Sequence, residues 1–501
     1  MPHALPLYRA AAVRAIERAA FARGCAAQTL MQRAGEAAAA LLRQRWPQAR
    51  RVGVLCGVGN NGGDGYVAAL ALHRAGLEVV VVMAGEPRSE EAQAACRAWQ
   101  ALGRGVLAAD AAWPEVELWV DALLGIGLRC APEAALTALI ERVALQGRPV
   151  LALDVPSGID ADTGAAAGCF LPATLTLCFV AAKQGLFTAK GREAAGEVIV
   201  EPLGLFDADA GAASALALQP PALRALLPLR RIDSHKGRYG RVLCLGGDTG
   251  MEGALVLCAE AAARAGAGSV LAWTRPAAVA ALQVRRPEVM AQPVPAAAVQ
   301  TLAEAICASG AEVLALGPGL GQAAWGRLLF EAALLAATQR QLPLVLDADA
   351  LNLLASRADS DEPGLARGRP MAVLTPHPGE AARLLGLSTA EVQAERFAAA
   401  AALAARFEAV VVLKGAGSLV AAVGETPRLI DAGNPGMASA GMGDVLTGVL
   451  AALRAQGLSP FDAACAAALA HAVAGDRAAA GAPRGLLASD LIDALREALT
   501  P

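Results

Sequence analysis

Short apolar runs alternate with alanine-rich stretches along almost the whole chain of 501 residues. The runs carry few charged positions, which is typical of strands buried on both faces of a parallel sheet. Helices between such strands cover the sheet, so the alternation predicts an α/β protein. The predicted strands are 52–56, 78–83, 118–123, 150–155 and 174–180 in the first half, and 241–247, 269–273, 312–317, 343–349, 371–377 and 409–415 in the second.

The alternation fails between about residues 205 and 224. This segment, FDADAGAASALALQPPALR, is low in complexity and contains Pro220 and Pro221, which predicts a linker. A chain of this length is also long for one hydrophobic core. We therefore predict two domains, residues 1–215 and residues 225–501. The sequence has no internal repeat that relates them, so we expect two different folds.

Composition narrows the class of protein. Hydrophobic residues make up 55% and charged residues 18%, with a net charge of -3, as in a globular and mildly acidic protein. No block of like charge is long enough to bind nucleic acid, and no apolar run reaches the roughly 18 residues that a membrane span needs. Arg and Glu interrupt the N-terminal segment where a signal peptide would need an apolar core. We expect a soluble, cytoplasmic protein.

The chain has 10 cysteines, and they are scattered along it. None of them is spaced as C-x-x-C. Most lie in apolar surroundings. This distribution predicts reduced, buried thiols, as in cytosolic proteins.

A glycine-rich loop, GVGNNGGDG, follows the first predicted strand directly at 57–65. It satisfies G-x-G-x-x-G, and amide groups at the start of a helix favour an anion. Taken singly, its glycines are explained as well by a tight turn. A dinucleotide-dependent dehydrogenase would also need an acidic residue that ends the second strand, where only Glu86 follows MAG.

Polar side chains follow the neighbouring strands. Asp121 lies in DALLGIGL, and Asp154 and Ser157 lie in LDVPSGID. The carboxylates would repel one another at one sheet edge unless a cation or hydrogen-bond donors lie among them. Together with Asn60, Asn61 and Asp64, they predict a small oxygen-liganded cation beside a ligand pocket. Each aspartate could instead cap a helix or close a turn.

In the second half, DAGNPGMASAGMGDVLTGVLAAL at 431–453 predicts a buried helix that begins at a glycine turn. Its apolar positions at helical spacing are Leu446, Val449, Leu450 and Leu453. Asp444 falls in the first turn, where it could take a proton from an attacking hydroxyl while the glycine turn stabilises a phosphate in transfer. From this segment alone, helix capping explains Asp444 equally well.

Three further strand ends carry polar or glycine-rich loops. LKGAGSLV at 413–420 places Lys414 and a glycine turn after a strand, where either a phosphate site or a simple hairpin is expected. LGPGLG at 316–321 ends another strand. His377 lies between two prolines in TPHPGEAARLL, which argues against a core histidine but leaves a structural hydrogen bond possible.

The N-terminal motifs GNNGGDG, DALLGIGL and LDVPSGID, which follow a helix ending LMQRAG, resemble the NAD(P)H-hydrate epimerase domain over about residues 8–205. The resemblance implies a Rossmann-like fold that interconverts the R and S epimers of the nicotinamide cofactor hydrated at C6. It implies a potassium ion at Asn61, Asp121 and Ser157, with Asp154 as the catalytic acid/base. It implies hydrate contacts at Asn60, Asn61, Gly62, Gly63, Asp64, Gly125, Ile126, Gly127, Leu128, Arg129, Cys130, Ala131 and Asp154. The chain departs from the pattern at Gln32, where glutamate is usual, which bears on helix packing or a dimer contact.

The C-terminal motifs, with HKGRYGRVLCLGGDTGMEGA at 235–254, resemble the ADP/ATP-dependent NAD(P)H-hydrate dehydratase over about residues 225–498. The resemblance implies a ribokinase-like fold with Asp444 catalytic. It implies hydrate contacts at Ala254, Gly319, His377 and Asp444, and nucleotide contacts at Lys414, Gly415, Ala416, Gly417, Ser418 and Gly443. Many ribokinase relatives have N-x-x-E near the magnesium site. Here His377 replaces the asparagine and Glu380 is retained, which favours a dehydratase over a sugar kinase.

The two resemblances imply a bifunctional enzyme. It would epimerise NAD(P)H-hydrate and dehydrate the S epimer to NAD(P)H with ADP or ATP and Mg²⁺, and ADP would give AMP and phosphate. A homo-oligomer is expected. One alternative is a kinase for a vitamin or sugar hydroxyl with a regulatory first domain, and another is a non-catalytic first domain. The polar set in that domain disfavours the latter.

Overall fold

Valine- and leucine-rich segments form two separate sheets in the computed structural model, which describes residues 3–128, 130–166, 168–205, 211–357 and 372–500. The chain divides into two units by its contacts. The first consists of Pro6–Ala215. The second consists of Leu216–Pro501 together with Met1–Leu5, so the edge strand β1 (Ala4–Leu7) joins the larger sheet. The α/β class predicted from the alternation of strands and helices is confirmed.

The first unit contains a seven-stranded sheet in the order β4-β3-β2-β5-β6-β7-β8, in which every pair is parallel. Its strands are β2 (Arg51–Cys56), β3 (Glu78–Met83), β4 (Leu107–Ala108), β5 (Leu118–Ala122), β6 (Val150–Leu153), β7 (Leu175–Phe179) and β8 (Glu197–Glu201). Its helices are α1 (Ala10–Ala22), α2 (Ala27–Arg45), α3 (Asn60–Arg74), α4 (Glu90–Gln100), α5 (Ala134–Ala144) and α6 (Ala189–Ala194).

Alternate residues of these strands enter two apolar clusters on opposite faces of the sheet, as the pleat requires. Val52 and Val54 of β2 join the larger cluster with α1–α4, whereas Leu55 joins the smaller one with α5. Trp119 of β5 belongs to the smaller cluster and donates its indole N–H to Gln146 Oε1 at 3.0 Å. The sheet is therefore covered on both sides, and its strand ends are held in fixed positions.

The second unit is built on an eleven-stranded sheet in the order β1-β9-β18-β17-β16-β15-β14-β13-β10-β11-β12. Its strands are β9 (Ala215–Leu218), β10 (Arg241–Leu245), β11 (Ser269–Thr274), β12 (Met290–Pro293), β13 (Val313–Leu316), β14 (Leu344–Leu346), β15 (Val373–Leu374), β16 (Val410–Leu413), β17 (Leu419–Ala421) and β18 (Arg428–Ile430). The sheet is parallel from β12 to β16, and β16, β17 and β18 continue it as antiparallel neighbours.

The helices of this unit are α7 (Leu223–Leu226), α8 (Glu252–Arg264), α9 (Pro276–Arg285), α10 (Val299–Ala308), α11 (Ala324–Arg340), α12 (Ala348–Arg357), α13 (Pro378–Leu385), α14 (Thr389–Ala394), α15 (Arg396–Phe407), α16 (Met442–Ala455), α17 (Pro460–Ala479) and α18 (Ala488–Ala498). The predicted helix around Leu446, Val449, Leu450 and Leu453 is α16, and all four side chains are buried in one cluster with α8, α17 and α18. This packing fixes the start of α16, where Asp444 lies.

The predicted strands form, mostly with shorter ends. The prediction for 371–377 begins at a residue outside the described ones, and β15 covers only Val373–Leu374. The linker prediction is wrong for its second half, because ALAL at Ala215–Leu218 forms β9 and pairs with β18. Ala215, Ala217 and Leu218 are fully buried, so small apolar side chains there form an interior strand. Residues 206–210 of that segment lie outside the described residues.

Six of the ten cysteines are buried and all ten are free thiols, as predicted. In the described part of the chain, no helix has the length and apolar character needed to cross a membrane.

Candidate active sites

A cavity of about 510 Å³ opens in the first unit where β2, β5 and β6 end. Carboxyl ends of parallel strands are the usual ligand position in open α/β sheets. Of the predicted site residues, the cavity is lined by Asn60, Asn61, Asp64, Gly125, Ile126, Gly127 and Asp154. The predicted residues outside this lining are Gly62, Gly63, Leu128, Cys130 and Ala131. Arg129 lies outside the described residues. For all of these residues, inside and outside the lining, contact with a ligand stays a prediction.

Two glycines of the loop after β2 are required by close backbone packing. A β-carbon on Gly57 would lie 1.9 Å from the Leu123 carbonyl oxygen, and one on Gly62 would lie 2.0 Å from the Gly57 carbonyl oxygen. A larger residue at 57 would push this loop away from the one that follows β5, and a larger residue at 62 would clash with the backbone of Gly57. Steric need thus explains these two glycines, and the polar residues between and beside them line the cavity.

Asp121 and Ser157 form a buried pair behind the cavity. Asp121 Oδ1 accepts a hydrogen bond from Ser157 Oγ at 2.7 Å, and Oδ2 accepts one from the Ser157 amide at 2.8 Å. Burial raises the pKa of Asp121 to about 6, although the hydrogen bonds from Ser157 oppose the shift. The pair joins the loop after β5 to the loop after β6.

Asn61 adds a buried oxygen beside this pair. Its Nδ2 donates to the carbonyl oxygens of Leu124 at 3.0 Å and Leu153 at 3.2 Å. Its Oδ1 is buried and has no hydrogen-bond partner among the described residues, which costs about 1–3 kcal/mol unless a ligand supplies one. A cation or a donor would satisfy this oxygen. The predicted potassium ligands therefore fit an oxygen-liganded cation by their chemistry.

The donor atoms at this position are oxygens. In the residues that the structure describes, no group of three or more histidine, cysteine, aspartate and glutamate side chains could hold a metal ion. The available oxygens instead belong to one carboxylate, one amide and one hydroxyl. Such hard ligands suit an alkali or alkaline-earth cation.

Asp154 follows β6 with a left-handed backbone, φ 67°, and forms an ion pair with Lys183. Its second oxygen accepts a hydrogen bond from the Ile126 amide at 3.3 Å. Lys183 is 1% exposed and also donates to the Phe179 carbonyl oxygen. Burial would lower the pKa of Lys183, but the Asp154 carboxylate raises it overall. Asp154 thus faces the cavity beside a fixed ammonium group.

Two more carboxyl groups line the same cavity, Glu17 from α1 and Asp64 from α3. Burial and the nearby charge of Asp154 raise the pKa of both. The cavity therefore favours the protonated form of these two carboxyl groups more than water does. The sequence analysis did not single out Lys183 or Glu17. Lys183 follows a predicted strand closely and could have been found by that signal, whereas no sequence signal marks Glu17.

In the second unit, charged side chains from four elements meet around Lys414, which follows β16. Its Nζ lies 2.7 Å from Asp347 Oδ1 and 3.9 Å from Glu380 Oε2. Asp347 follows β14, is 1% exposed, and accepts a hydrogen bond from Thr447 Oγ1 at 2.9 Å. A β-carbon on Gly443 would lie 3.1 Å from Lys414 Nζ, so the glycine turn of α16 adjoins this cluster. Asp347 is a further residue that the sequence does not predict.

The protonation states in this cluster differ from group to group. Burial would lower the pKa of Lys414, but Asp347 and Glu380 raise it overall. Burial would raise the pKa of Asp347, yet Lys414 lowers it overall. Asp444, in the first turn of α16, has its pKa raised to about 7, mainly by burial and also by the charge of Asp347. Asp347 and Lys414 are thus a fixed ion pair, and Asp444 can exchange a proton near neutral pH.

His377 begins α13 as its N-cap. Its Nδ1 accepts hydrogen bonds from the amides of Gly379 at 3.0 Å and Glu380 at 3.4 Å, and its own amide donates to Glu380 Oε2 at 2.8 Å. Burial and Lys414 lower the pKa of His377, so the ring is neutral with its proton on Nε2. The structural hydrogen bond is present. Contact with a substrate stays a prediction.

The predicted loop of Lys414 and Gly415, Ala416, Gly417 and Ser418 connects β16 to β17 in an antiparallel hairpin. The loop is therefore a hairpin, and it also lies beside the charged cluster around Lys414. Ala254 lies in the first turn of α8, and Gly319 follows β13. The Gly319 carbonyl oxygen accepts a hydrogen bond from the Asp248 amide at 2.6 Å, which links the loops after β13 and β10.

Comparisons with known proteins agree with this division into two sites. Residues 242–497 match the family model described as NAD(P)H-hydrate dehydratase, and residues 27–185 match the one described as YjeF-related protein N-terminus. The second unit resembles the crystal structure of a ribokinase-like superfamily protein from Enterococcus faecalis, with 28% identity and a TM-score of 0.50, over 57% of this chain and 95% of that one.

Two curated relatives span nearly the whole chain, and both are named bifunctional NAD(P)H-hydrate repair enzyme. The protein from Escherichia coli is 45% identical over 94% of this chain and 89% of its own length. The protein from Coxiella burnetii is 44% identical over 99% of each chain. At this identity and coverage, the chain belongs to the family of bifunctional NAD(P)H-hydrate repair enzymes.

Proposed function

We propose that this chain catalyses both reactions of a bifunctional repair enzyme, with epimerisation of NAD(P)H-hydrate in the first unit and its nucleotide-dependent dehydration in the second. The observation that carries the proposal is the presence of two differently equipped acid/base sites in one chain. Asp154 is paired directly with a buried lysine, whereas Asp444 lies beside such a pair with a pKa of about 7.

Epimerisation requires reversible bond breaking at C6, a carbon that bears both the hydroxyl group and the ring nitrogen. Asp154 removes the hydroxyl proton, the N1–C6 bond breaks with its electron pair moving to N1, and an open-chain aldehyde forms. Reclosure on the other face of the aldehyde, with return of the proton, gives the other epimer. Lys183 supports this role, because its buried ammonium forms an ion pair with the Asp154 carboxylate and holds that carboxylate beside the cavity.

A potassium ion would be held by Asn61 Oδ1, Ser157 Oγ and the Asp121 carboxylate. When bound, it would supply a fixed positive charge that stabilises the buried carboxylate and attracts the phosphate-bearing ligand. The unpartnered Asn61 oxygen supports this role. Asn60, Asp64 and the loop at 125–131 would contact the hydrate.

Dehydration needs a better leaving group than hydroxide. Asp444 removes the proton from the C6 hydroxyl, and the hydroxyl oxygen attacks the terminal phosphoryl group of the nucleotide. The leaving group is AMP when the nucleotide is ADP, and ADP when the nucleotide is ATP. The C–O bond then breaks, phosphate leaves, and loss of a C5 proton restores the dihydronicotinamide double bond. Mg²⁺ would supply charge at the nucleotide phosphates, and Glu380 is the buried carboxylate suited to hold it. Lys414 and the loop to Ser418, with Gly443, would hold the nucleotide.

The two reactions complement each other, because the first converts the epimer that the second does not accept. The other assigned contacts, Ala254, Gly319 and His377, would position the hydrate beside Asp444. A homo-oligomer in the cytoplasm remains our expectation for the assembly and location.

Product analysis separates this function from that of a small-molecule kinase. The full-length protein, Mg²⁺ and ADP or ATP are mixed with the R and S hydrates, and NAD(P)H absorbance and inorganic phosphate are followed together. We expect one phosphate for each NAD(P)H formed, and consumption of both epimers. Accumulation of a phosphorylated hydrate without NAD(P)H would favour the kinase instead.

A further inference from the structure

An arginine lies behind the loop that follows β16. Arg396 is the first residue of α15 and is 1% exposed. Its guanidinium donates hydrogen bonds to the carbonyl oxygens of Leu413, Lys414 and Gly417, each at 3.3 Å, and to Gln393 Oε1 at 2.9 Å. Burial lowers the pKa of Arg396 to about 10, so the group still carries its charge at neutral pH. One buried cation thus contacts both ends of the loop.

These contacts orient the amide groups of the loop. The described peptide bonds are all trans, and in a trans peptide the carbonyl and the N–H point in opposite directions. Because the Lys414 carbonyl points at Arg396, the Gly415 amide points away from it. The same holds for the Gly417 carbonyl and the Ser418 amide. Arg396 therefore turns two donors of the loop toward its other side.

Gly415 is matched to this arrangement. Its φ is +138°, and a β-carbon there would lie 2.8 Å from Arg396 Nη1. Any other residue would force the guanidinium away from the backbone or distort the loop. The arginine and the glycine thus depend on each other.

We propose that Arg396 is a positioning residue for nucleotide binding, which holds the 414–418 loop with its amides directed at the nucleotide phosphate. The proposal rests on the proposed function of this loop. A guanidinium offers five donors in a planar fork, whereas an ammonium offers three from a single atom. Lysine would therefore keep the charge at this position but lose most of the contacts that shape the loop.

The test measures how Arg396→Lys changes each step separately in the full-length enzyme. We expect the KM for ADP to rise about tenfold to a hundredfold, as for the loss of one or two charge-assisted hydrogen bonds. The KM for the hydrate and the epimerisation rate should stay near wild type. The thermal stabilisation that AMP gives should also fall. The matched control is Arg406→Lys on the same helix, where the arginine bonds the distant Leu384 carbonyl oxygen at 2.7 Å, and its KM for ADP should not change.

A second pair of variants approaches the contact from the other side. Gly415→Ala should raise the KM for ADP by a similar factor. Gly424→Ala should not, because Gly424 also has a positive φ, +82°, but has nothing within 4 Å of its position for a β-carbon. This pair separates loss of the arginine contact from simple backbone strain.

The outcomes distinguish this inference from the proposed function. An unchanged KM for ADP in Arg396→Lys and Gly415→Ala would overturn the inference. A proportional loss of every parameter, including the KM for the hydrate, would reduce Arg396 to a purely structural residue and would overturn it too. If the wild-type enzyme uses neither ADP nor ATP, the proposed function itself fails.

Discussion

Both candidate sites contain a lysine–carboxylate ion pair with one fully buried partner where parallel strands end, but they use this pair in different ways. In the first unit, Lys183 pairs with Asp154, the proposed acid/base itself. In the second, Lys414 pairs with Asp347, and the proposed base Asp444 stands beside the pair with a pKa of about 7. A lysine paired with the base holds its carboxylate in place, whereas a lysine paired with a neighbour leaves Asp444 with a pKa close to neutral pH.

The largest expected effect is the loss of dehydration in Asp444→Asn. The variant keeps the shape of the side chain but cannot accept the hydroxyl proton, so the rate of NAD(P)H formation should fall about 10²–10⁴-fold. Epimerisation, measured by separating the R and S hydrates, should stay near wild type. An Asp444→Asn variant that retains half of the wild-type dehydration rate would remove Asp444 from the mechanism.

Lys183→Met should lower epimerisation by a smaller factor. Without the ammonium, Asp154 loses the partner that holds its carboxylate beside the cavity, so we expect about 10–100-fold slower epimerisation at pH 7. Lys190→Met is a suitable control, because this exposed lysine pairs with Glu193 in the same helix. An epimerisation rate in Lys183→Met equal to that in Lys190→Met would contradict the role given to Lys183.

The pH dependence of the two reactions should differ in the same enzyme. Asp444 acts only when it is deprotonated, and its pKa is about 7, so kcat/KM for dehydration should fall about tenfold for each pH unit below 7 and level off above it. Epimerisation should not follow this profile, because it does not use Asp444. Identical profiles for the two reactions would remove the distinction between the sites.

Asp444→Asn should also stabilise the fold. The pKa of Asp444 is raised in the folded state, so its ionised form is disfavoured there, and the associated stability is lost as pH rises through about 7. The neutral amide avoids this loss. We expect a melting temperature about 2–4 °C above wild type at pH 8, and a smaller difference at pH 5. A lower melting temperature for the variant at pH 8 would contradict this sign.

The smallest expected effect concerns the cation. We expect the free energy of unfolding of the wild-type protein to be higher in KCl than in NaCl by about 1 kcal/mol or less, measured by chemical unfolding in each salt. Asn61→Leu removes the buried oxygen that would bind potassium, so the variant should show no such difference between the two salts. Equal stability of the wild-type protein in the two salts would argue against a potassium site.

Local patterns predicted much of the fold. Strand positions and helix α16 could be read from apolar spacing, because burial imposes that spacing on each element. The second half of the presumed linker could not, since ALAL at Ala215–Leu218 forms a strand between β1 and β18, which are both distant in sequence. Long-range pairing of this kind leaves no local signal.

The residues of the candidate sites divide in the same way, into those that a local sequence pattern marks and those that only packing brings into the site. The sequence pointed to Asp154 and Asp444 through the strand and helix ends on which they lie. It did not point to Asp347 or Arg396, whose partners are distant in sequence and whose roles arise from packing. The sequence also does not show which of two roles His377 has, because the same side chain caps α13 and adjoins the charged cluster.

Complementation with pure R hydrate tests the independence of the two sites most directly. Asp154→Asn and Asp444→Asn are given this epimer with ADP and Mg²⁺, first separately and then mixed, and NAD(P)H formation is followed. Each variant alone should form NAD(P)H no faster than spontaneous epimerisation and residual activity allow, and the mixture should approach the wild-type rate. A mixture no better than its components, or full activity in either variant alone, would contradict two separate sites.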